Sequence, residues 1–343
     1  RLQGDWSSDV CSSDLFMNPK PIEVPFVDLD WQHRPLTTEL ETAIQSVVKA
    51  GDFILGQSLA DFERDFATSC GAVWGVGVAS GTDAIALGLR ACGIGAGDEV
   101  LVPANTFIAS AIGVLQAGAI PVFVDCDSQT ALIDLERAAK AVTQKTRAIV
   151  PVHLYGQMVS PKQLLDFAAS YNLTIFEDAA QAHLAAREGY RAGSVGRAAA
   201  FSFYPSKNLG AFGNGGMVVT HDEEVAISVR SLRNYGAPRK YYHVELGTNS
   251  RLDTLQAAIL QVKLPYLSRW NQWRNQAAQE YDALLQPLQA QGIVPIANHS
   301  GANHIYHLYV LQIGRATSEL QSPCNLVCRL LLEKKKITIS YAV

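Results

Sequence analysis

Three things are missing from these 343 residues: a long apolar run, a cluster of basic side chains, and cysteines at metal-binding or disulfide spacing. A membrane helix needs ~18 uninterrupted apolar residues. The best candidate, "ASAIGVLQAGAIPVFVD", is broken by Gln116, Gly118 and Pro121. Nucleic-acid binding needs clustered Lys and Arg. Here the formal net charge is -4, and the best basic run, "LEKKK" near the end, reads as a solvated face. Six cysteines are scattered, and "CNLVC" has no histidine or second cysteine pair nearby, so no metal is expected and reduced cytoplasmic thiols are. No basic-then-apolar leader opens the chain.

What is present is uneven. Residues 1–16 carry the near-duplicate "SSDV" and "SSDL" with nothing to bury, and the character changes at Met17. It changes again after "HIYHLYVLQI". Both flanks, 1–16 and 314–343, have the texture of translated adapter sequence or a cloning scar and are set aside from fold reasoning. Between them, apolar residues at helical spacing in "TTELETAIQSVVKAG" and "SLADFERDFATSCG" predict two helices, stopped by Gly51 and Gly71, with Ser58 as the second N-cap. Short β-branched or aromatic runs follow: "DEVLVP", "IPVFVD", "RAIVPVHLYG", "LTIFED", "AAAFSFY" and "GMVVT", separated by helical stretches such as "SPKQLLDFAASY". Strands this apolar are covered on both faces, so the fold class is α/β, a sheet between helix layers. Long helical patterns from about Leu252 lead out of a large domain (17–265) into a smaller one that begins over 266–313.

In such sheets ligands bind at loops leaving the carboxyl ends of strands. Four loops there carry chemistry. In "ASGTDAIALGLRA", Gly81 and Thr82 precede a helix whose first amides favour an anion, although Ser80, Thr82 and Asp83 also suit plain capping. In "LTIFEDAAQAH", Asp178 ends an apolar strand, where an unpaired carboxylate is costly and should meet a cation: an arginine, or a protonated ring nitrogen. Gln181 lies three residues on, and His183 is near enough to be a substrate contact or simply a satisfied core histidine. In "FSFYPSKNLGAFGNGG", Ser202 is on a strand and Lys207 just past its end, with Gly210, Gly213, Gly215 and Gly216 keeping the backbone close. A desolvated lysine becomes a usable amine nucleophile. In "ANTFIAS", Phe107 offers a flat ring. An anion cradle, a carboxylate for a ring nitrogen, a stacking aromatic and an amine nucleophile are together the parts of a pyridoxal 5'-phosphate site.

The strings "SGTDAIALGL", "VPANTFIAS", "PVHLYGQ", "EDAAQAH", "FSFYPSKNLGAFGNGG", "RSLRNYGAPRKY" and "GTNSRLDTLQAAIL" make residues from about Ile22 to Val310 resemble the DegT-type nucleotide-sugar aminotransferases of the aspartate-aminotransferase fold group. That resemblance implies a fold type I transferase, with a large domain of mostly parallel mixed sheet and a smaller C-terminal α/β domain whose end looks replaced. It implies Lys207 as the Schiff-base lysine, Asp178 on the ring nitrogen, Gln181 at the ring hydroxyl, and Phe107 stacked on the ring. Gly81, Thr82 and Ser202 would hold the phosphate, and Asn249 would reach it from a neighbouring subunit of a homodimer. Lys240 and Tyr241 would meet a sugar-nucleotide diphosphate. The implied reaction is transfer of an amino group from L-glutamate to C3 of a dTDP-linked 3-keto-6-deoxyhexose. The alternatives are a C4 aminotransferase and a non-catalytic cofactor-binding regulator. Leu184 stands where the family commonly has glycine, and Asn214 where an acidic residue is common.

Overall fold

The computed structural model describes residues 28–313 and 338–342, so residues 1–16 and most of 314–343 lie outside the described chain. The N-terminal part is helical: α1 (Asp30–His33), α2 (Thr37–Ala50) and α3 (Gln57–Cys70). Left-handed Gly51 and Gly71 (φ 69° and 76°) end α2 and α3 as the sequence predicts, because glycine takes that backbone without steric penalty. The start of α3 is corrected. Gly56, not Ser58, is the N-cap, since Asp52 Oδ2 accepts the Gln57 N–H at 3.1 Å and Thr254 Oγ1 accepts that of Gly56 at 3.1 Å.

Strands and helices then alternate: β1 (Trp74–Val78), α4 (Gly81–Ala91), β2 (Glu99–Pro103), α5 (Ala109–Gln116), β3 (Ile120–Val124), α6 (Leu135–Ala141), β4 (Thr146–Ile149), α7 (Pro161–Tyr171) and β5 (Thr174–Asp178). A two-stranded hairpin follows, β6 (Ala186–Arg187) and β7 (Tyr190–Arg191), then β8 (Ala198–Ser202), β9 (Gly216–Thr220) and α8 (Glu223–Leu232). The "RAIVPVHLYG" run forms a strand only to Ile149. Beyond it the chain bridges Asp178 through Val152 and turns tightly over Leu154–Gly156.

Seven strands form one sheet in the order β1-β9-β8-β5-β4-β2-β3. All run parallel except β9, which is antiparallel to both β1 and β8. Alternate residues feed opposite layers. On β8, Ala199 and Phe201 face a core with Phe62, Phe66 and Met217, while Ala198 and Ala200 face one with Val76, Leu89 and Val229. Burial on both faces is why these strands read as unbroken apolar runs. Because β1, β2, β5 and β8 are parallel, their carboxyl ends share one edge of the sheet.

Helix α9 (Thr254–Lys263) packs on α2 and α3. It passes through a short 3-10 turn at Leu264–Tyr266 into α10 (Leu267–Leu285), followed by β10 (Ile293–Pro295), β11 (Leu308–Ile313) and β12 (Thr338–Ala342) in a three-stranded antiparallel sheet. Among the described residues no helix is long and apolar enough to cross a membrane.

Candidate active site

The shared strand edge brings the predicted loops together. At the start of α4, Ser80 is the N-cap, its Oγ accepting the Asp83 N–H at 3.1 Å. The Asp83 carboxylate turns aside to accept from Ser250 Oγ at 2.9 Å, so it does not cover the helix mouth. The leading amides of a helix have no partner within it, and the helix dipole adds positive potential there. Gly81 lies against Ser202 so closely that a Cβ on Gly81 would stand 2.7 Å from that of Ser202. Gly216, paired with Ser202 across β8 and β9, would drive a Cβ to 2.3 Å from the Ser80 carbonyl oxygen. The result is a tight cradle of backbone and one hydroxyl, shaped for an anion.

Asp178 is buried at the end of β5. Its Oδ2 accepts from Ser110 Oγ at 2.6 Å and its Oδ1 from the Ala180 amide at 3.1 Å. Ser110 in turn is 2.7 Å from Thr106 Oγ1. Of the two partners the sequence left open, arginine is not the one taken: no ion pair within 4.0 Å holds Asp178 among the described residues. Gln181 is fixed by the Tyr155 N–H, which donates to its Oε1 at 2.7 Å and leaves the side-chain NH2 free to donate elsewhere. Tyr155 holds this pose in left-handed backbone, φ 62°. Neither Ser110 nor Tyr155 stood out in the sequence, although Ser110 closes the quoted "ANTFIAS" and Tyr155 sits in "PVHLYGQ".

Lys207 is half-buried beyond β8, its N–H bonded to the Tyr204 carbonyl at 2.9 Å. Burial lowers its amine from 10.5 to about 8, against the opposing pull of the Asp178 charge. Next to it Asn208 is fully buried, donating to Asn271 Oδ1 (2.9 Å) and the Ile305 carbonyl (3.0 Å). His307 Nδ1 lies 3.1 Å from Asn208 Oδ1, and burial together with the Lys207 charge keeps this imidazole neutral.

Phe107 is 62% exposed, its ring free to cover a ligand. His183 must be reassigned. It is fully buried among Phe66, Phe201 and Phe203, with Nε2 donating to the Ser202 carbonyl at 3.0 Å. Desolvation, then the charge of Lys207, pushes it down to about 3. It lies beneath the Ser202–Lys207 segment and is closed to a substrate, because the apolar shell that seats its ring also seals it. Lys240, Tyr241 and Asn249 are exposed, with Lys240 Nζ 5.2 Å from the Tyr241 ring centroid and Asn249 bridged to Asn234.

Residues 35–339 match the family described as "DegT/DnrJ/EryC1/StrS aminotransferase family". A Geobacillus stearothermophilus protein named "Pleiotropic regulatory protein" is 43% identical over 301 residues, 88% of this chain and 81% of the relative. A Streptomyces venezuelae "dTDP-3-amino-3,4,6-trideoxy-alpha-D-glucose transaminase" is 45% identical over 299 residues, 87% and 78% of the two chains. Among solved structures, "X-ray crystal structure of S. venezuelae DesV in complex with ketimine intermediate" superposes with a TM-score of 0.82 at 45% identity, covering 85% of this chain and 78% of that one. The mostly parallel seven-stranded sheet between helices is the fold of these aminotransferase neighbours.

Proposed function

The chain belongs to the DegT/DnrJ/EryC1/StrS aminotransferase family, and on that premise we propose that it is a pyridoxal 5'-phosphate enzyme aminating C3 of a dTDP-linked 3-keto-6-deoxyhexose with L-glutamate as donor. One observation carries the reading: an amine lowered to about 8 stands in the field of a buried carboxylate that has no basic side chain in an ion pair with it among the described residues. A carboxylate so placed suits a protonated heterocycle, and an amine so placed suits proton transfer near neutral pH. The cradle between Gly81, Ser202 and Gly216 fits a phosphate.

When bound, the cofactor supplies an aldehyde that condenses with amines and a protonated ring that draws electrons from the substrate carbon. The chain's own residues do the rest. The amides of Gly81 and Thr82 and the Ser202 hydroxyl hold the phosphate. Asp178, oriented by Ser110 and Ala180, accepts from the ring N–H. Gln181 donates its amide to the ring hydroxyl, Tyr155 having taken its oxygen, and Phe107 covers one face. Lys207, when neutral, would take the proton from the donor's α-carbon. Lys240 and Tyr241 lie on an exposed loop suited to a diphosphate, and Asn249 reaches the phosphate of a second subunit, so the working unit is a homodimer.

The name of the G. stearothermophilus relative invites a regulatory reading. A regulator needs the cradle and Asp178 but no titrating amine, and Lys207 favours an enzyme. Borohydride reduction with bound cofactor followed by peptide mapping should place the tag on Lys207; a tag elsewhere ends this reading. Offering 3-keto and 4-keto dTDP-sugars with glutamate and identifying the product by NMR fixes the position of amination.

A further inference from the structure

A second lysine lies under the same loop, with no acid in an ion pair with it among the described residues. Lys263, the last residue of α9, is 0% exposed, the only lysine among the fully buried side chains of the described residues. Its Nζ donates to the Gly210 carbonyl and to His33 Nε2, the latter at 3.1 Å, and lies 5.8 Å from the centroid of the Phe212 ring. His33 is neutral and therefore able to accept, lowered to about 4 by burial and by Lys263. Its ring also meets Phe212 edge-on, centroids 4.6 Å apart. Asp30 pulls on His33 from the same helix but is itself engaged with Arg34. A buried ammonium is costly, and a fold that only needed to fill this space would do better with methionine or leucine.

What Lys263 grips is the loop that carries Lys207. Gly210 is folded back on Pro205, so that a Cβ there would stand 2.2 Å from the Pro205 carbonyl oxygen. Lys207 lies inside that closure. The same helix α9 holds the next turn, Gln256 Oε1 accepting the Phe212 N–H at 2.8 Å. On the other side of Lys207, Asn208 is pinned to α10. We propose that Lys263, with His33 as its acceptor, is a positioning residue for Lys207: it locks the Gly210–Phe212 arm against Pro205 and so fixes where the reacting amine stands. This rests on the proposed role of Lys207, yet the loop can be read without it.

The test uses the full-length protein free of cofactor. In Lys263→Met, which keeps volume and removes the donor, the amides of Ala211 and Phe212 should exchange with deuterium at least about tenfold faster, and acylation of Lys207 by a lysine-selective reagent should change several-fold. The melting temperature should hold or rise, because the desolvated charge is gone. His33→Phe, which keeps a ring against Phe212 but removes the acceptor, should give a smaller change of the same sign and decides the matter should the first variant not fold. Unchanged exchange at residues 211 and 212, whatever the melting temperature does, would reduce Lys263 to a core-filling residue. Because neither readout needs cofactor, a failed borohydride map on Lys207 would sink the functional reading and leave this one standing.

Discussion

Lys207 sits between two opposing pulls. Burial disfavours its ammonium and the nearby Asp178 favours it; burial wins, leaving the group at about 8. At pH 7 roughly one such amine in ten is neutral, against about one in three thousand for an ordinary lysine. Acylation of Lys207 in the cofactor-free protein should therefore rise with a midpoint near pH 8, followed by mass mapping; a midpoint near 10.5 would show a solvated side chain. The stability consequence has a definite sign. Between about pH 8 and 10.5 the folded state binds fewer protons at Lys207 than the unfolded chain, so stability gains with pH across that window and the penalty is full below it. Lys207→Met should melt higher than wild type below pH 8, the advantage fading as pH rises through 8 to 10.5 and gone above it. The same variant should lose turnover by more than about 10⁴-fold, and Asp178→Asn by on the order of 10²–10³-fold. Leu184 allows a third test. It occupies left-handed backbone, φ 65°, while packing partly into the core around Phe66. That conformation costs a non-glycine residue about 1–2 kcal/mol. Leu184→Ala keeps the cost and loses packing; Leu184→Gly loses packing and sheds the cost. Urea unfolding should find the glycine variant more stable than the alanine one by about 1 kcal/mol, the reverse of the usual order.

Between elements, the cradle is made where α4 starts against the ends of β8 and β9. Gly216→Ala would push a methyl into the Ser80 carbonyl, which is backbone and cannot step aside. Overpacking of this kind costs about 1–3 kcal/mol, and here it should also weaken binding of pyridoxal 5'-phosphate, measured by absorbance titration. Gly81→Ala meets the Ser202 side chain instead and should unfold less readily than Gly216→Ala while binding cofactor as poorly. How legible this was follows from what each element depends on. Helices α2 and α7 and the strands β2, β3, β5, β8 and β9 were readable because local periodicity, Gly51 and Ser160 settle them. The N-cap of α3 was not, because Asp52 and Thr254, one of them 198 residues away from Gly56, choose it. That Lys207, Asp178, Gly81 and Ser202 meet at one sheet edge was legible because strand-end loops collect there. Ser110 and Tyr155 act through Asp178 and Gln181, and only the strand order β5-β4-β2 brings them there. His183 went the other way, since an apolar shell drawn from α3 and β8 encloses it and no short string records that.

At the scale of the whole molecule, one strand edge gathers the amine, the carboxylate and the anion cradle, and Asn249 is exposed next to Ser250, whose Oγ donates to Asp83 at the start of α4. Phe107 is 62% exposed, and Tyr241 and Leu246 are each 85% exposed. In the homodimer proposed above, Asn249 of each subunit would complete the other's cradle. Two crippled variants can decide it. Lys207→Ala removes the amine from its own site, and Asn249→Ala would, on this arrangement, damage only the site across the interface. In a hybrid of the two, the chain carrying Lys207→Ala also sits opposite the chain lacking Asn249, so both defects fall in one site and the other is intact. Random subunit mixing makes about half of the dimers hybrid, each with one working site, so activity should recover to about a quarter of wild type. If Asn249 serves its own subunit, each hybrid site keeps one defect and mixing restores nothing. Size-exclusion chromatography of the mixture must show a dimer for either result to count, and wild-type protein that runs as a monomer with full activity would remove the shared site altogether.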